Sequence, residues 1–373
     1  MAMVAEASKH PALPRGGAPL RLVLVGPSLR YLLGGQEVQL DQLARDWSAD
    51  EAVAVTLVPC QSPLPRMIQW VASIPLLRTL VRLPFYLATL WRATKESEIV
   101  HAFSGSYSSF LIATLPPLVV AQALQKKTVV HYHSRKALEH LRDSATARFA
   151  LRRTDCVVVP SAYLANTFGQ FGICARIVPN TVPLTVFAFR QRTPLRPLLL
   201  CTRNFYYYCG LDLAVRAFAV VKRTFPDARL CLVGSGQEEK TLRNLVQQLD
   251  LAGVEFVGPI ERCRIPAIYA ESDILLNASR EDNAPVSILE AFASGLPVVS
   301  SNAGGIPYLV KHESTGLLCE VGDWQALANN VVRVLQDGNL AQFLAHNAYQ
   351  AAEQYGWEAV RQRWLEVYDS IRS

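Results

Sequence analysis

Residues 279–305 read SREDNAPVSILEAFASGLPVVSSNAGG, and this stretch predicts a loop, a helix and a buried strand in direct succession. Pro285 suits the first position of a helix, and Gly295 suits its end. Pro297–Ser300 is an apolar run of strand length. A helix followed closely by a short apolar strand is a repeating unit of α/β folds.

The predicted amino end of this helix offers an anion site. The N–H groups of Val286, Ser287 and Ile288 have no partner inside the helix, and the helix dipole favours a phosphate there. Asp282 and Glu290 would stand on the order of 10 Å apart by the rise per residue. That fits two carboxylates that hold different hydroxyl groups of one long ligand. The spacing on its own favours a simpler structure, a helix capped with help from Asp282 and an exposed Glu290.

The amino-terminal half shows the same alternation of strands and helices. Leu20–Val25 is a continuous apolar run, followed by Gly34-Gly35 and then by apolar residues at helical spacing. This succession opens a doubly wound α/β domain. Further predicted strands in this half are Val53–Val58, Ile99–Phe103, Thr128–Tyr132 and Cys156–Val159.

A second series of alternating elements begins after about residue 190. Its predicted strands are Leu198–Cys201, Arg229–Val233, Val254–Val257, Ile274–Leu276 and Pro297–Ser300. Two such series predict an α/β protein with two Rossmann-like doubly wound domains that face each other across a cleft. We place a flexible tail at 1–19, the first domain at 20–188 and the second at 189–355. We also predict a carboxyl-terminal helix at 356–373, and one option is that this helix packs against the first domain.

Charge and cysteine content exclude several classes of protein. The net charge is +6 and half of the residues are hydrophobic, which excludes a disordered chain. Residues 1–190 hold 20 Lys+Arg against 11 Asp+Glu, +9, whereas residues 191–373 hold 17 against 20, −3. This asymmetry indicates an anionic partner for the first half. Basic clusters interleaved with aromatic residues are lacking, so we expect no nucleic-acid partner. The eight cysteines form no CxxC pair.

Two further motifs are weaker. Gly234-Ser-Gly236 follows a predicted strand, but Glu239 stands where a dinucleotide fingerprint needs its third glycine, so we expect no nicotinamide site. Two roles for Gly234 remain open, a tight turn after the strand and a contact with a ligand. His131 and His133 face one way at a strand end. As a zinc pair they lack an evident third ligand, so we expect no metal.

The sequence DNAPVSILEAFASGLPVVSSNAGGIP, residues 282–307, resembles the donor-binding signature of retaining glycosyltransferases of the GT-B fold, specifically family GT4. That signature is a carboxylate, seven residues, a glutamate, a helix end of small residues, GxPVV and a glycine pair. The resemblance extends over nearly the whole chain. Gly34-Gly35 match the family's glycine loop, His133 its strand-end histidine, Arg203 its phosphate arginine and Gly234 its second-domain turn.

The resemblance implies a role for each residue. Glu290 would hold the ribose of a nucleotide sugar, Asp282 the donor sugar and Arg203 the diphosphate. Gly35 would let its backbone approach the donor, and His133 would contact the sugar near the reacting carbon. The implied catalytic residues are His133, Arg203 and Asp282. The implied donor-binding residues are Gly34, Gly35, Gly234, Glu281, Asn283, Ala284, Pro285, Val286, Ser287 and Glu290. Such a site needs no metal or cofactor, because the nucleotide sugar is a substrate.

The sequence departs from the family pattern at two places. The family usually has glutamate where Asp282 stands, and Glu281 lies beside it, so either carboxylate is a candidate for the sugar contact. The family usually has a lysine a few residues after the arginine, and residues 203–210, RNFYYYCG, contain none. Another base or a tyrosine hydroxyl would have to replace its charge.

The resemblance implies a metal-independent hexosyltransferase that moves a sugar from a UDP- or GDP-linked donor to an acceptor, with retention at the anomeric carbon. The acceptor, a glycan or a lipid-linked glycan precursor of polysaccharide biosynthesis, would bind the first domain, because the donor signature lies in the second. A non-catalytic nucleotide-sugar-binding protein, which the missing lysine would explain, and a GT-B epimerase remain alternatives.

Residues 66–95 combine basic and large apolar side chains. No acidic residue lies between Ala52 and Lys95, while Arg78 and Arg82 alternate with residues such as Trp91. This composition is typical of a segment lying on an anionic membrane surface. A buried helix whose arginines are solvated fits equally well. We expect a cytoplasmic protein, with peripheral docking on the inner face of the cell membrane as a further hypothesis.

Overall fold

The apolar runs of the sequence form two β-sheets in which every pair of neighbouring strands is parallel. The computed structural model describes residues 18–27, 34–60 and 75–372, of which 75–80 are described by backbone only. The tail predicted at 1–19 lies outside the described residues except for Ala18 and Pro19.

The first sheet has the strand order β2-β1-β3-β4-β5-β6. Its strands are β1 Leu20–Gly26, β2 Val53–Pro59, β3 Ile99–Ser104, β4 Lys127–Tyr132, β5 Cys156–Val159 and β6 Ala175–Ile177. The helices of this half are α1 Gly35–Ser48, α2 Pro75–Glu96, α3 Leu115–Ala123, α4 Ala137–Asp143, α5 Ala145–Arg152 and α6 Ala162–Gly169.

The second sheet has the order β12-β11-β10-β7-β8-β9. Its strands are β7 Leu198–Thr202, β8 Arg229–Val233, β9 Val254–Gly258, β10 Ile274–Asn277, β11 Val298–Ser301 and β12 Leu317–Cys319. The helices are α7 Leu211–Thr224, α8 Glu239–Gln248, α9 Ile265–Glu271, α10 Val286–Ser294, α11 Ile306–Leu309, α12 Trp324–Gln336, α13 Gly338–Ala352 and α14 Trp357–Arg372. The predicted architecture of two doubly wound parallel sheets is confirmed.

Helix α14 follows the second sheet in sequence and packs on the first. Trp364 and Tyr368 are buried in the same apolar cluster as Leu22 and Trp47. The Tyr368 hydroxyl is hydrogen-bonded to Nδ1 of His101 at 2.9 Å. The carboxyl end of the chain therefore contributes to the core of the first sheet.

The segment between the two sheets is fixed to the second one by a buried carboxylate. Asp273 is fully buried and accepts hydrogen bonds from the backbone and side chain of Arg196, and it also pairs with Arg190. Burial alone would raise the pKa of Asp273, but these hydrogen bonds lower it below its usual value. The Arg192 guanidinium, also buried, lies 3.7 Å from this carboxylate.

Across the described ranges, no helix is both long and apolar enough to cross a lipid bilayer. Helix α2 buries Tyr86 and Leu90 and leaves Leu83, Phe85 and Trp91 exposed. It therefore has one face in the core of the first sheet and one face with large apolar side chains on the surface. Residues 61–74, which contain the start of the basic and apolar segment, lie outside the described residues.

Candidate active site

A cavity of about 370 Å³ lies between the two sheets, at the carboxyl ends of their strands. We call it the cleft cavity. His133 directly follows β4, Arg203 follows β7 and Gly234 follows β8. All thirteen residues that the sequence predicted as catalytic or donor-binding line this one cavity. Its volume lies within the usual range for small-molecule sites.

The amino end of α10 faces the cavity without a side-chain cap. Pro285 is the N-cap residue in an extended conformation, and no side chain caps the helix. The Ile288 N–H donates to the Pro285 carbonyl at 3.1 Å, so the prediction that it is free was wrong, because the first turn tightens. Val286 and Ser287, in the same turn, line the cavity.

Glu290 is 3% exposed and faces the cavity from inside α10. The simpler alternative, a capped helix with an exposed Glu290, is therefore wrong. An ion pair with Arg262 holds the Glu290 carboxylate. The hydroxyl of Tyr269, fully buried, donates to the Ser287 carbonyl at 3.1 Å and lies 2.6 Å from Oγ1 of Thr202.

The glycine pair after β11 shapes the loop that carries the carboxylates. A Cβ atom on Gly304 would lie 2.2 Å from the carbonyl oxygen of Asp282, and one on Gly305 would lie 1.8 Å from that of Asn283. The Gly305 N–H donates to the Asp282 carbonyl at 2.9 Å. Only residues without a side chain allow this approach, so the pair fixes the loop before α10.

Arg203 and Asp282 form an ion pair inside the cavity, with side chains 17% and 12% exposed. Burial alone would lower the pKa of Arg203, but the Asp282 carboxylate raises it above its usual value, so the charge is retained. Gly234, at φ +141°, would place a Cβ atom 2.2 Å from the Arg203 carbonyl oxygen. Gly234 thus makes a tight turn and also lines the cavity.

His133 is a neutral imidazole at the cavity wall. Its ring stacks on Phe103 at a centroid distance of 5.4 Å, and burial lowers its pKa to about 3. Its carbonyl accepts a hydrogen bond from Nδ2 of Asn283 at 3.1 Å, which joins the two sheets across the cleft. His131 lies behind it with the ring centroids 4.1 Å apart. In the described ranges, no group of three or more His, Cys, Asp or Glu side chains is placed to hold a metal.

The cavity wall concentrates buried polar atoms that have no hydrogen-bond partner among the described residues. These atoms are Nε of Arg203, Nε2 of His133, Oδ1 of Asn180, Oδ1 of Asn283 and Oγ of Ser287. Buried polar atoms in folded proteins nearly always have partners. Their clustering here indicates a polar ligand that supplies the missing bonds.

Two arginines of the cavity wall were not predicted from the sequence. Arg135 follows β4 by three residues and Arg262 follows β9 by four, and both line the cavity. The rule that ligands sit at the carboxyl ends of parallel strands is the signal that could have found them. Glu281 is paired with Arg135 and its side chain is 56% exposed, whereas Asp282 is paired with Arg203 and mostly buried.

Known proteins resemble this chain over both of its sheets. Residues 33–186 match the family model of glycosyltransferase family 4, and residues 188–351 match that of glycosyl transferases group 1. The structure of HepE from Anabaena, solved in complex with UDP-glucose, superposes with a TM-score of 0.75 at 19% identity and covers 94% of this chain and 100% of that one. The chain therefore belongs to the GT4-like glycosyltransferases of the GT-B fold.

Two relatives of known name are 30% identical to parts of the chain. One is the N-acetyl-alpha-D-glucosaminyl L-malate synthase of Bacillus anthracis, matched over 60% of this chain and 62% of the relative. The other is the GDP-mannose-dependent alpha-(1-6)-phosphatidylinositol monomannoside mannosyltransferase of Mycobacterium tuberculosis, matched over 52% and 57%. The chain thus spans less than two thirds of the length of each relative.

Proposed function

We propose that the protein is a retaining glycosyltransferase that moves a hexose from a nucleotide sugar to an acceptor bound by the first domain. The observation that carries this proposal is the position of Arg203, Glu290 and the amino end of α10 around one cavity. A cation and free N–H groups suit a diphosphate, and a buried carboxylate beside them suits the paired hydroxyl groups of a ribose.

The proposed donor lies along the cavity in three parts. Glu290 binds the ribose, Arg203 and the N–H groups of Val286 and Ser287 bind the diphosphate, and the sugar lies near Asp282. As the glycosidic bond breaks, the leaving nucleoside diphosphate gains negative charge. Arg203 and the helix end stabilise that charge in the transition state, so we propose that transfer needs no divalent metal and no cofactor.

His133 contributes a hydrogen bond rather than a charge to the proposed donor sugar. Because burial lowers its pKa to about 3, its imidazole is neutral at physiological pH. Nε2 of His133 has no hydrogen-bond partner among the described residues. A sugar hydroxyl at the reacting end of the donor would satisfy it. We propose that Asp282 rather than Glu281 contacts the sugar, because Asp282 is the carboxylate held inside the cavity.

The proposed donor is a UDP- or GDP-linked sugar, and the proposed acceptor is a glycan or a lipid-linked glycan precursor. HepE was solved with UDP-glucose, and the mycobacterial relative is named as dependent on GDP-mannose and as acting on a phosphatidylinositol mannoside. These names support both donor classes and a lipid-linked acceptor.

A panel of UDP-, GDP- and ADP-linked sugars tests this function in two stages. Thermal-shift measurements find the donor, because a bound ligand raises the stability of the folded state by mass action. The selected donor is then incubated with lipid-linked and soluble glycan acceptors. Acceptor-dependent release of the nucleoside diphosphate, with the anomeric configuration of the product retained, supports the proposal. Saturable binding without turnover would instead show a nucleotide-sugar-binding protein, and a changed sugar without transfer would show an epimerase.

We further propose that α2 docks the protein on the anionic cytoplasmic face of a membrane. Its surface exposes Leu83, Phe85 and Trp91, which are 39%, 42% and 46% exposed, next to the exposed bases Arg92 and Lys95. Large apolar side chains beside basic ones suit the interface of an anionic bilayer. Docking there would bring the first domain close to a lipid-linked acceptor.

Co-sedimentation with vesicles of phosphatidylcholine and phosphatidylglycerol at low salt tests the docking. We expect binding that weakens when Arg92 and Lys95 are both changed to glutamate, or Trp91 to alanine. The matched control changes Arg223 and Lys240, two exposed bases of the second domain, to glutamate. Equal binding of all variants, or no binding by the unchanged protein, would overturn the docking proposal.

A further inference from the structure

Arg135 of the first domain reaches across the cleft to two residues of the second. Its guanidinium carbon lies 3.6 Å from the centroid of the Tyr208 ring, and its Nη1 lies 2.6 Å from Oε2 of Glu281. Among the described residues that line the cleft cavity, Arg135 is the one cation that comes from the first domain. Its charge is therefore held at the cavity by contacts with the opposite wall.

Tyr208 lies at the cavity wall with Arg135 stacked over its ring. Burial raises the pKa of Tyr208 above its usual value, and the charges of Arg135 and Arg203 both act on its phenol to lower it. The charges of both arginines therefore act on one side chain of the cavity wall. Each arginine is paired with a carboxylate of the same wall, Arg135 with Glu281 and Arg203 with Asp282.

The segment after Arg203 supplies no cation of its own. Residues 204–210 contain no lysine or arginine. Cys209, which lines the cavity beside Arg203, stays a neutral thiol because burial raises its pKa. Among the described residues of the wall, Arg262 is the remaining cation, and it is paired with Glu290 at the proposed ribose end.

We propose that Arg135 is a diphosphate-binding residue that supplies, from the opposite domain, the second cation of the donor site. This inference rests on the proposed function. A guanidinium carries five N–H donors, so a bond to Glu281 leaves donors for a phosphate oxygen. Glu281 then positions Arg135 rather than binding the donor. Because the cation and the helix end belong to different domains, a bound diphosphate holds the cleft closed.

Titration calorimetry with UDP, GDP and the matching nucleosides tests this role. The diphosphate that binds the unchanged protein is titrated into Arg135→Ala, Arg135→Lys and Glu281→Gln. The matched control is Arg142→Ala, an exposed arginine of α4 paired with Asp143. We expect Arg135→Ala to bind the diphosphate about tenfold more weakly, the loss of one charge-assisted hydrogen bond. Its affinity for the nucleoside should be unchanged, and Arg135→Lys should recover part of the loss.

The Glu281→Gln variant separates a phosphate contact from a merely structural bridge. If Arg135 only joins the domains, Arg135→Ala and Glu281→Gln weaken nucleoside and diphosphate alike. If Arg135 binds the diphosphate, Arg135→Ala weakens binding of the diphosphate alone. Glu281→Gln, which loses the charge that positions Arg135, then weakens it by a smaller factor and leaves the nucleoside affinity unchanged. Unchanged diphosphate affinity in Arg135→Ala, with normal binding by the unchanged protein, overturns this inference alone. If the unchanged protein binds no nucleoside diphosphate, the proposed function fails and the inference fails with it.

Discussion

The carboxylate of Glu290 is paired with the guanidinium of Arg262 at the wall of the cleft cavity. Glu290 is 3% exposed, and a buried carboxylate of this kind is stabilised by a paired cation. Arg262 comes from the turn after β9 and Glu290 from α10. The pair therefore fixes the direction of a carboxylate that can accept hydrogen bonds from two neighbouring hydroxyl groups.

Glu290→Gln should weaken binding of the donor by about 10- to 150-fold, because hydrogen bonds to a charged group contribute about 1.5–3 kcal/mol. The substitution keeps the size of the side chain and removes the charge. Titration calorimetry with the selected nucleoside diphosphate measures the effect. The control is Glu239→Gln on α8, where the carboxylate pairs with Arg243 on the surface. If Glu290→Gln and the unchanged protein bind the nucleoside diphosphate with equal affinity, Glu290 does not bind the donor.

Arg203→Ala should lower the turnover number by about 100-fold while KM changes less, because in the proposed function its charge acts mainly on the leaving diphosphate in the transition state. Steady-state kinetics with donor and acceptor both varied separates the two parameters. Arg216→Ala, an exposed position on α7, serves as the control. A folded Arg203→Ala protein with an unchanged turnover number would contradict the assignment.

Gly305→Ala should destabilise the fold by about 1–3 kcal/mol and weaken donor binding, because its Cβ atom would lie 1.8 Å from the Asn283 carbonyl oxygen. The loop that carries Asp282 and Asn283 has to move away. Urea unfolding and donor titration report the two effects. Gly338→Ala meets no atom within 4 Å and is the matched control. If both variants behave alike, the glycine pair does not shape the loop.

Three histidines with strongly lowered pKa values, the buried His101 and His131 and the half-buried His133, should make the protein sensitive to acid. Burial lowers the pKa of His101 and His133 to about 3, and that of His131 well below its usual value. The folded state keeps them neutral, while the unfolded chain protonates them below about pH 6.5. Their contribution to stability is therefore complete above about pH 6.5 and is lost as the pH falls towards 3.

Below about pH 6.5, the free energy of unfolding should fall by about 1.4 kcal/mol per pH unit for each histidine. For the three together the slope is about 4 kcal/mol per pH unit. Urea unfolding at a series of pH values between 7.5 and 4.5 measures it. His131→Leu should reduce the slope, and His346→Asn, at an exposed position, is the control variant. A slope that His131→Leu does not alter would show that His131 is protonated in the folded state.

The sequence predicted the two sheets because parallel strands buried on both faces are continuous apolar runs. Arg229–Val233 and Cys156–Val159 were predicted with their observed limits, and the other predicted strands differ by one or two residues at their ends. The three-residue edge strands β6 and β12 were missed, since so short a segment has no recognisable period. Edge strands also bury less apolar surface than central ones.

The candidate site was predictable where a residue belongs to a long motif and not where it depends on the other domain. Glu290 and Asp282 lie in one continuous signature, and both line the cavity. Arg135 is a single arginine after a strand, and its contacts with Tyr208 and Glu281 exist only because the two sheets face each other. No local pattern encodes those contacts; the position of Arg135 and Arg262 just after a strand was the one signal in the sequence that pointed to the cavity.

A crystal structure of the protein with the nucleoside diphosphate that it binds most tightly would show where the proposed donor lies. We expect a ribose within hydrogen-bonding distance of Glu290 and a diphosphate between Arg203 and the N–H groups of Val286 and Ser287. A nucleotide bound elsewhere, or bound in the cleft cavity with its diphosphate away from Arg203 and the amino end of α10, would contradict it.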